Sequence, residues 1–216
     1  MRTFLYKLTS DRGGAPCAPA PSAGEDPLLT LSICKPAIRR TAQPGDRLIG
    51  LTSQSLHASE GYPLAAVIYA AVVDRAAEPR EYYALDSPFG SRPDCIYAFH
   101  QELGRLVHSG RTPLHSDEAY LARDIGSYPY YRNARTLISH DFRYFGAGAM
   151  VIPPRLELLR HVAETLGQGH RVYEDGTPES READALFRLL WKRETRFTPG
   201  VVESEASGHT PRTKKR

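Results

Sequence analysis

Hydrophobic and polar positions divide the chain into a region of short strands followed by a region of two amphipathic helices. Short apolar runs rich in β-branched or aromatic residues predict buried strands. These runs are 3–8, 28–34, 47–52 and 64–73, and the last is the most apolar in the chain. Segments 94–100 and 104–107 predict a hairpin, and 135–139, 142–145 and 150–152 predict three further short strands.

Helical spacing of the apolar residues begins after Pro153-Pro154. One stripe runs from Leu156 to Leu166 and ends at Gly167, a typical residue just past a helix end. A second stripe, Ala183 to Leu190, follows the N-terminal signal Thr177-Pro178-Glu179. Brief helical turns are predicted at 37–42 and 79–85. Strands first and helices last indicate an α+β fold.

Two segments of small and polar residues are expected to lie outside this fold. Residues 10–27 are rich in proline and glycine and predict a mobile loop that buries little surface. Residues 201–216 end in four cations without an acid after Glu205 and predict a flexible basic tail. We therefore predict one domain over residues 1–200, followed by that tail.

Composition excludes several classes of protein. The 216 residues are 41% hydrophobic and 25% charged, which is typical of a globular domain. No apolar run approaches the roughly 18 residues of a membrane span, the first residues lack a leader's apolar region, and three scattered cysteines suit reducing surroundings. We expect a cytoplasmic protein without a membrane partner. The formal charge of +3 is too small to prove an anionic partner.

Standard catalytic fingerprints are missing from the sequence. It contains no Gly-rich phosphate loop, no His-Glu-x-x-His and no Gly-x-Ser-x-Gly. The eight histidines do not fall at metal-ligand spacing. We therefore expect no metal and no cofactor, and the candidate residues must be found one group at a time.

A basic turn after the second strand is the first candidate group. Lys35, Arg39 and Arg40 place three cations close together, where guanidinium groups can bind phosphate oxygens. A solvated turn, with Arg40 paired to Asp46, is the alternative. Cys34 is interpreted as a small buried hydrophobe rather than a nucleophile, because no partner base is evident.

Two further groups carry polar and aromatic side chains. Ser139, His140 and Asp141 are adjacent, but neighbouring side chains on a strand point to opposite faces, so a hydrolytic triad is not expected. Tyr144 follows them, with core packing or base stacking as its alternatives. The third group lies in a long irregular stretch and combines His115, Arg123 and Asp124, for which a structural ion pair is the alternative. Tyr128, Tyr130 and Tyr131 next to Arg132 and Arg135 suit nucleic acid or pack within their own loop.

The order of these motifs resembles the type 2 nucleotide modification associated domain. The resemblance covers residues 3 to 155 and rests on an ordered set of motifs: Cys34-Lys35-Pro36-x-Ile38-Arg39-Arg40, Gly45-Asp46, Gly50, Val67-Ile68-Tyr69-Ala70, Glu81-Tyr82-Tyr83, Ile96-Tyr97, His115-Ser116, Arg123-Asp124 and Leu137-Ile138-Ser139-x-Asp141-Phe142-x-Tyr144-Phe145-Gly146. The resemblance implies a role with nucleic acid and altered bases, in phages or bacteria, without assigning a reaction.

One position departs from the family's pattern. Pro93-Asp94-Cys95 stands where the family tends to have Gly-Asp-Asn, so any ligand contact made by that asparagine is altered here. The Gly45-Asp46 turn and the strands after it also resemble the barrel of PUA-like and EVE-like domains, which hold a flipped base in a pocket. This analogy extends the fold prediction to a mainly antiparallel, barrel-like sheet with two C-terminal helices.

Three functions follow as hypotheses. The first is a module that binds a modified base or nucleotide, with DNA favoured. Its phosphate contacts are predicted to come from Lys35, Arg39 and Arg40, and Tyr97 or Tyr144 is predicted to stack on the base. Hydrogen bonds to the base edge are predicted from Ser139, Asp141 and Asp124. The second is an enzyme in which Asp124 or Asp141 is the general base, with its pKa raised by burial, and His115 is an acid or base. The third is an adaptor with an exposed stripe at Leu186, Leu190 and Trp191.

Overall fold

A computed structural model of the chain describes residues 1–198. Strands and helices alternate through most of the described chain. The strands are β1 (Arg2–Leu8), β2 (Leu29–Leu31), β3 (Arg47–Thr52), β4 (Ala66–Val72), β5 (Arg75–Ala77), β6 (Tyr97–His100), β7 (Arg105–His108), β8 (Thr136–Ser139), β9 (Phe142–Tyr144), β10 (Met150–Val151) and β11 (His170–Glu174). The α-helices are α1 (Pro36–Thr41), α2 (Gln54–Glu60), α3 (Pro79–Tyr82), α4 (Glu118–Asp124), α5 (Glu157–Thr165) and α6 (Pro178–Leu190).

The largest sheet has the strand order β10-β4-β3-β1-β11, and β9 pairs with β4 beside β10. Strands β1 and β3 are parallel, and the other neighbours are antiparallel. Side chains alternate across this sheet, as strand geometry requires. Phe4 and Tyr6 lie on one face, whereas Leu5 lies on the other, and each face has its own hydrophobic core.

Helices α5 and α6 cover the Leu5 face of the main sheet. Their residues Leu159, Leu186 and Leu190 are buried against strand residues such as Ile49. Thr177 caps α6 by accepting a hydrogen bond from the Ser180 N–H, as its sequence predicts. The apolar stripe of α6 therefore faces the sheet. The exposed stripe that would mark an adaptor is not found at Leu186 and Leu190.

The other face of the main sheet packs against a smaller sheet, β2-β8-β5. Beyond this smaller sheet, a third core joins Ile138 of β8 to α3 and to the β6–β7 hairpin. Helix α1 and the loops around α4 lie next to these layers. The candidate site described below forms where β2, α1 and α4 meet.

Most of the predicted elements are present, and the missed ones lack a strong apolar pattern. The strands at 3–8, 47–52 and 64–73, the hairpin and both C-terminal helices are confirmed with small changes of boundary. The predicted strand 28–34 is shorter, and the irregular stretch after 109 contains α4. Strand β11 was missed because it lies at the edge of the sheet and is largely exposed. Its residues therefore do not show the apolar run of a core strand.

The α+β class is confirmed, but the barrel-like sheet is not confirmed. The strands of residues 1–198 form three separate sheets with ends, rather than a closed barrel. The element order is more mixed than predicted, because α2 and α4 lie among the strands beside the predicted turns at 37–42 and 79–85, and β11 lies between α5 and α6.

The segment 10–27 contributes to the interior, contrary to the expectation that it buries little. Asp11, Cys17 and Ala18 are buried, and Cys17 bridges to Thr30 through backbone hydrogen bonds. The predicted basic tail at 201–216 lies outside the described residues. Among residues 1–198, no helix is both long enough and apolar enough to cross a membrane.

Gly50 allows Tyr69 to lie flat across the neighbouring strand. The two residues are paired in the β3–β4 ladder. A Cβ at Gly50 would overlap the ring carbons Cδ1 and Cε1 of Tyr69 and lie 2.6 Å from Leu8 Cδ1. All of these neighbours are buried in the core, so they have little space into which to move.

We expect Gly50→Ala to destabilise the protein by about 1–3 kcal/mol through overpacking. Gly167→Ala is the matched control, because nothing lies within 4 Å of a Cβ at Gly167. Urea denaturation measures both changes. Equal midpoints for the two variants would contradict the close approach of Tyr69 to β3.

Candidate active site

Cys34 lies between β2 and α1, on a backbone that turns sharply. Cys34 and Lys35 both have left-handed conformations, with φ of 56° and 42°, and Pro36 begins the helix. Such conformations are unfavourable for residues with side chains and persist where surrounding contacts impose them. The turn leaves Cys34 partly exposed at the surface.

Asp124 is the last residue of α4, and its buried carboxylate accepts three hydrogen bonds. The Cys34 N–H donates to Oδ1 at 3.0 Å. The Tyr97 hydroxyl donates to Oδ2 at 2.9 Å, and His115 Nδ1 lies 2.5 Å from the same oxygen. Three distant parts of the chain therefore converge on one carboxylate.

His115 connects this buried carboxylate to the surface. Its side chain is 16% exposed, and its backbone is left-handed, with φ of 54°. The ring stacks on Tyr120 at a centroid distance of 4.5 Å, and the Arg123 guanidinium lies 5.2 Å from the centroid of the Tyr120 ring. Stacking on one side and the Asp124 hydrogen bond on the other fix the orientation of the imidazole.

Cys34, His115 and Asp124 form a compact group of chemically active side chains. The Cys34 Sγ, a ring nitrogen of His115 and a carboxylate oxygen of Asp124 all lie within 4.8 Å of one another. A thiol beside an imidazole that is oriented by a carboxylate is the general arrangement of an activated nucleophile. The second hypothesis required His115 to meet an aspartate, and the structure brings His115 to Asp124.

Arg39 holds the backbone of this group in place from inside the protein. Its guanidinium is fully buried. It donates to the carbonyl oxygens of Cys34 at 2.8 Å, Asp124 at 2.5 Å and Arg135 at 3.0 Å, and also to that of Asn133. These bonds engage the N–H groups of the guanidinium inside the fold. Arg39 therefore does not belong to a phosphate-binding surface.

The other two cations of the predicted basic turn lie in different surroundings. The Lys35 ammonium donates to the Lys7 carbonyl at 3.0 Å and lies 4.7 Å from the centroid of the Tyr6 ring. Arg40 is exposed and donates to Asn133 Oδ1 at 2.6 Å. Asp46, the alternative partner considered for Arg40, instead pairs with Arg2 at 2.7 Å. Of the three cations, Arg40 is the one free to meet an anion from solvent.

The electrostatic surroundings keep the Cys34 thiol protonated at rest. Burial, and after it the Asp124 charge, raise the pKa of Cys34 to about 11 against the opposing charges of Arg39, Lys35 and Arg123. A thiol in this state needs a base to become nucleophilic at neutral pH. His115 is the base of this group, with a ring nitrogen within 4.8 Å of the thiol sulfur.

Asp124 remains ionised, which differs from the role expected of a general base. Burial alone would raise its pKa. The hydrogen bond and charge of His115, and the hydrogen bonds from the Cys34 N–H and Tyr97, outweigh burial and lower this pKa. Asp124 is therefore suited to orient and stabilise a protonated His115, and the expectation of a raised pKa is wrong.

The aromatic residues expected to stack on a base are both buried. Tyr97 is fully buried and holds Asp124 through its hydroxyl. Tyr144 is 2% exposed, and its hydroxyl donates to Asp11 Oδ2 at 2.7 Å. Neither ring offers a free face to a ligand in this structure, and Tyr97 instead positions Asp124.

Two other predicted residues, Ser139 and Asp141, form their hydrogen bonds outside the group of Cys34, His115 and Asp124. Ser139 is buried and donates to the Asp141 carbonyl at 3.0 Å. Asp141 accepts a hydrogen bond from Trp191 Nε1 at 2.7 Å, at the end of α6. These contacts place both residues at the β8–β9 turn. Asp124, rather than Asp141, is therefore the aspartate beside His115.

Asp94, in the Pro93-Asp94-Cys95 segment that departs from the family's pattern, forms hydrogen bonds inside the protein. Its buried carboxylate accepts from Thr30 Oγ1 at 2.6 Å and from the Tyr82 hydroxyl at 2.9 Å. Cys95 is 4% exposed and contacts backbone carbonyls of the third core. The cysteine that replaces the family's asparagine therefore points into the interior of this protein.

The surroundings of two residues, Cys34 and Asp11, were missed by sequence reasoning. Cys34 is 90 residues from Asp124, so only the fold reveals its partners. Its place at the start of the ordered motif was the available signal. Asp11 was taken as part of a loop, yet its buried Oδ2 accepts hydrogen bonds from Tyr62 and Tyr144, and its Oδ1 has no partner among the described residues.

Comparison with known proteins gives one match. The family model for nucleotide modification associated domain 2 matches residues 1–195, which is nearly all of the described chain. No curated protein and no solved structure matches the sequence.

The buried guanidinium generates a prediction about stability. Arg39→Lys keeps the positive charge but cannot reach the four carbonyls that Arg39 binds. We expect a loss of about 2–5 kcal/mol in the free energy of unfolding, because buried acceptors are left unpaired. The control is Arg40→Lys at the exposed neighbouring position, for which the change should stay within about 0.5 kcal/mol. Similar unfolding midpoints for the two variants would contradict the structural role of Arg39.

The charges around Cys34 generate a prediction about pH. Lys35 lowers the Cys34 pKa because a nearby positive charge stabilises the thiolate. Lys35→Met should therefore raise that pKa and slow alkylation of Cys34 by iodoacetamide at pH 9 about three- to tenfold, for a charge near a protein surface. Peptide mass spectrometry follows Cys34 separately from the other cysteines. Arg40→Met is the control with an equal loss of charge, and an unchanged rate in Lys35→Met would contradict this electrostatic role.

Proposed function

Because the chain belongs to the nucleotide modification associated domain 2 family, we propose that it is a thiol-dependent enzyme of nucleotide or DNA modification. In this proposal Cys34 is the nucleophile, His115 is the general base and acid, and Asp124 orients His115. The family description supplies the theme of nucleotide modification, and the side chains of the candidate site supply the chemistry.

The observation that carries the proposal is the convergence of Cys34, His115 and Asp124 within 4.8 Å. Core packing does not require a thiol, an imidazole and a carboxylate at one point. Each is also held by a separate contact: the Cys34 N–H by Asp124, the His115 ring by Tyr120, and Asp124 by Tyr97. Such fixed geometry is what a nucleophile and its base need.

The proposed chemistry begins with the protonated thiol. His115 removes the proton from Cys34 Sγ as the sulfur electron pair forms a bond to an electrophilic carbon of the substrate. The electron pair displaced from that carbon moves onto a leaving group or a conjugated carbonyl oxygen. Asp124 stabilises the resulting imidazolium, which later returns its proton to the departing or acceptor atom.

The binding-module hypothesis has less support from the same residues. It requires stacking by Tyr97 or Tyr144 and phosphate contacts from Arg39, but these side chains are buried and engaged in internal hydrogen bonds. The catalytic hypothesis uses Cys34, a residue that is partly exposed, and His115, whose side chain is 16% exposed. A thiol nucleophile also needs reducing surroundings, with which a cytoplasmic location is consistent.

A metal centre is the second candidate, because Cys34, His115 and Asp124 offer three donor types that zinc accepts. The contact between His115 Nδ1 and Asp124 Oδ2 favours the triad over this centre. At 2.5 Å it is shorter than the roughly 3.3 Å that separates two tetrahedral ligands of one zinc ion, and both carboxylate oxygens already accept hydrogen bonds. Measurement of zinc per chain by mass spectrometry, before and after chelation, tests this alternative.

The proposal predicts loss of chemistry when the thiol is removed. The purified protein is incubated with DNA and with free nucleotides in a cell extract that supplies co-substrates, and all nucleosides are then analysed by mass spectrometry. We expect a change in one nucleoside with the wild type and at least a hundredfold lower rate with Cys34→Ser, as loss of a nucleophile dictates. His115→Gln should lower the rate about 10²–10⁴-fold, as loss of a general base does.

Cys95→Ser is the matched control, since Cys95 is a buried thiol of the third core. It should retain the wild-type rate. Equal nucleoside changes with wild type and Cys34→Ser would contradict the thiol mechanism. Binding of a nucleotide without any change in nucleosides would instead favour the binding module, and activity that requires stoichiometric zinc would favour the metal centre.

A further inference from the structure

A loop next to the candidate site presents aromatic side chains to solvent. We define residues 125–134, between α4 and β8, as the tyrosine loop. Tyr128 is 60% exposed and Tyr130 is 78% exposed, which is unusual for large rings in a domain of this size. The stretch from Ile125 to His140 contains no Asp or Glu. The loop thus offers aromatic faces without nearby negative charge of its own.

The tyrosine loop has a well-defined internal structure. The Leu106 N–H donates to the hydroxyl of Tyr131 at 2.8 Å, which joins the loop to β7. The ring of Tyr128 contacts that of Tyr131 edge to face, with centroids 6.0 Å apart. The Asn133 N–H donates to the Ile125 carbonyl at 3.1 Å and closes the loop. Tyr128 and Tyr130 are therefore presented by an anchored segment.

Exposed arginines surround these rings. Arg40, Arg123 and Arg132 are all exposed. Asn133 connects two of them, because its side chain accepts from Arg40 and donates to the Arg123 carbonyl at 2.9 Å. The adjacent acid, Asp124, is buried, and the other acids near α4, Asp117 and Glu118, lie at the opposite end of the helix, where Asp117 is the cap. The surface beside the loop is accordingly positive.

The loop is also joined directly to the candidate site. Arg39 binds the carbonyl of Asp124, just before the loop, and the carbonyl of Asn133, near the end of the loop. Tyr128 is four residues from Asp124, so their Cα atoms lie at most about 14 Å apart. A strand bound to Tyr128 and Tyr130 would therefore pass close to Cys34 and His115.

We infer that the tyrosine loop, with Arg40, Arg123 and Arg132, binds single-stranded nucleic acid, so that the substrate is a nucleotide within a strand. Exposed aromatic rings stack on unpaired bases, and neighbouring arginines contact the phosphates. A duplex hides its base faces, and a free nucleotide would use only a small part of this surface. The inference deepens the proposed function and rests on it for the identity of the site.

Fluorescence anisotropy with a labelled single-stranded DNA of about 20 nucleotides tests the inference, since that length exceeds the roughly 4–16 nucleotides that one binding fold covers. We expect the Tyr128→Ala/Tyr130→Ala double variant to bind at least tenfold more weakly than the wild type. Leu85→Ala/Leu103→Ala, which removes two other exposed side chains, should bind as the wild type does. A duplex of the same sequence should bind more weakly than the single strand.

Salt dependence tests the arginines separately. Arg40→Ala/Arg132→Ala should reduce the slope of log affinity against log salt by about 1.4, as expected for two phosphates of a single strand. The control pair Arg155→Ala/Arg188→Ala removes the same charge from exposed positions near and on the C-terminal helices and should leave the slope unchanged. A single-stranded RNA of the same sequence shows whether the surface distinguishes RNA from DNA.

The two proposals fail in different ways. Equal binding by wild type and the tyrosine variant, or a duplex bound as tightly as the single strand, would overturn the tyrosine loop as the binding surface even if Cys34 chemistry is intact. Cys34→Ser should bind the single strand normally. Tyrosine-dependent binding together with unchanged nucleoside chemistry in Cys34→Ser would contradict the thiol mechanism and leave the binding surface supported.

Discussion

The candidate site depends on one buried guanidinium. Arg39 donates to backbone carbonyls on both sides of the site, at Cys34 and Asp124, and to two more at the end of the tyrosine loop. A buried cation carries a large desolvation cost, which is offset only when its donors are all paired. The Asp124 carboxylate adds a favourable charge interaction. The geometry of the candidate site is therefore tied to the stability of the fold.

Around this cation the chain accepts several unfavourable local conformations. Cys34, Lys35 and His115 all have left-handed backbones, although each carries a side chain that disfavours it. The cost is offset by contacts that these conformations allow, such as the Cys34 N–H bond to Asp124 and the Arg39 bond to the Cys34 carbonyl. Strain of this kind is common where a fold positions reactive groups.

The sequence predicted the elements of the fold better than it predicted their assembly. Strand β4 and the cap of α6 follow from local pattern, because burial and capping leave direct marks in the residues. The parallel pairing of β1 with β3 and the addition of β11 at the edge depend on long-range contacts that no local pattern records. The predicted barrel-like sheet is not confirmed, and the pairings give three separate sheets among residues 1–198.

The candidate site shows the same limit. His115 and Asp124 are nine residues apart, and both were identified from sequence. Cys34 was interpreted as a small buried hydrophobe, because its neighbours His115 and Asp124 lie far away in the chain. Tyr97 was assigned a stacking role, yet its burial makes it a support for Asp124. Residue type thus indicated candidate residues, whereas their burial and hydrogen bonding arise only in the fold.

Arg39 and Arg40 illustrate how adjacent residues of one type acquire different roles. Consecutive positions on a helix point about 100° apart, so α1 can direct one guanidinium inward and the next outward. Arg39 consequently meets backbone carbonyls in a dry interior, while Arg40 remains in solvent beside Asn133 and the tyrosine loop. The inner arginine joins the backbone at Cys34 to the backbone at Asp124. The outer arginine adds positive charge to the surface that we propose as the binding surface for a nucleic acid strand.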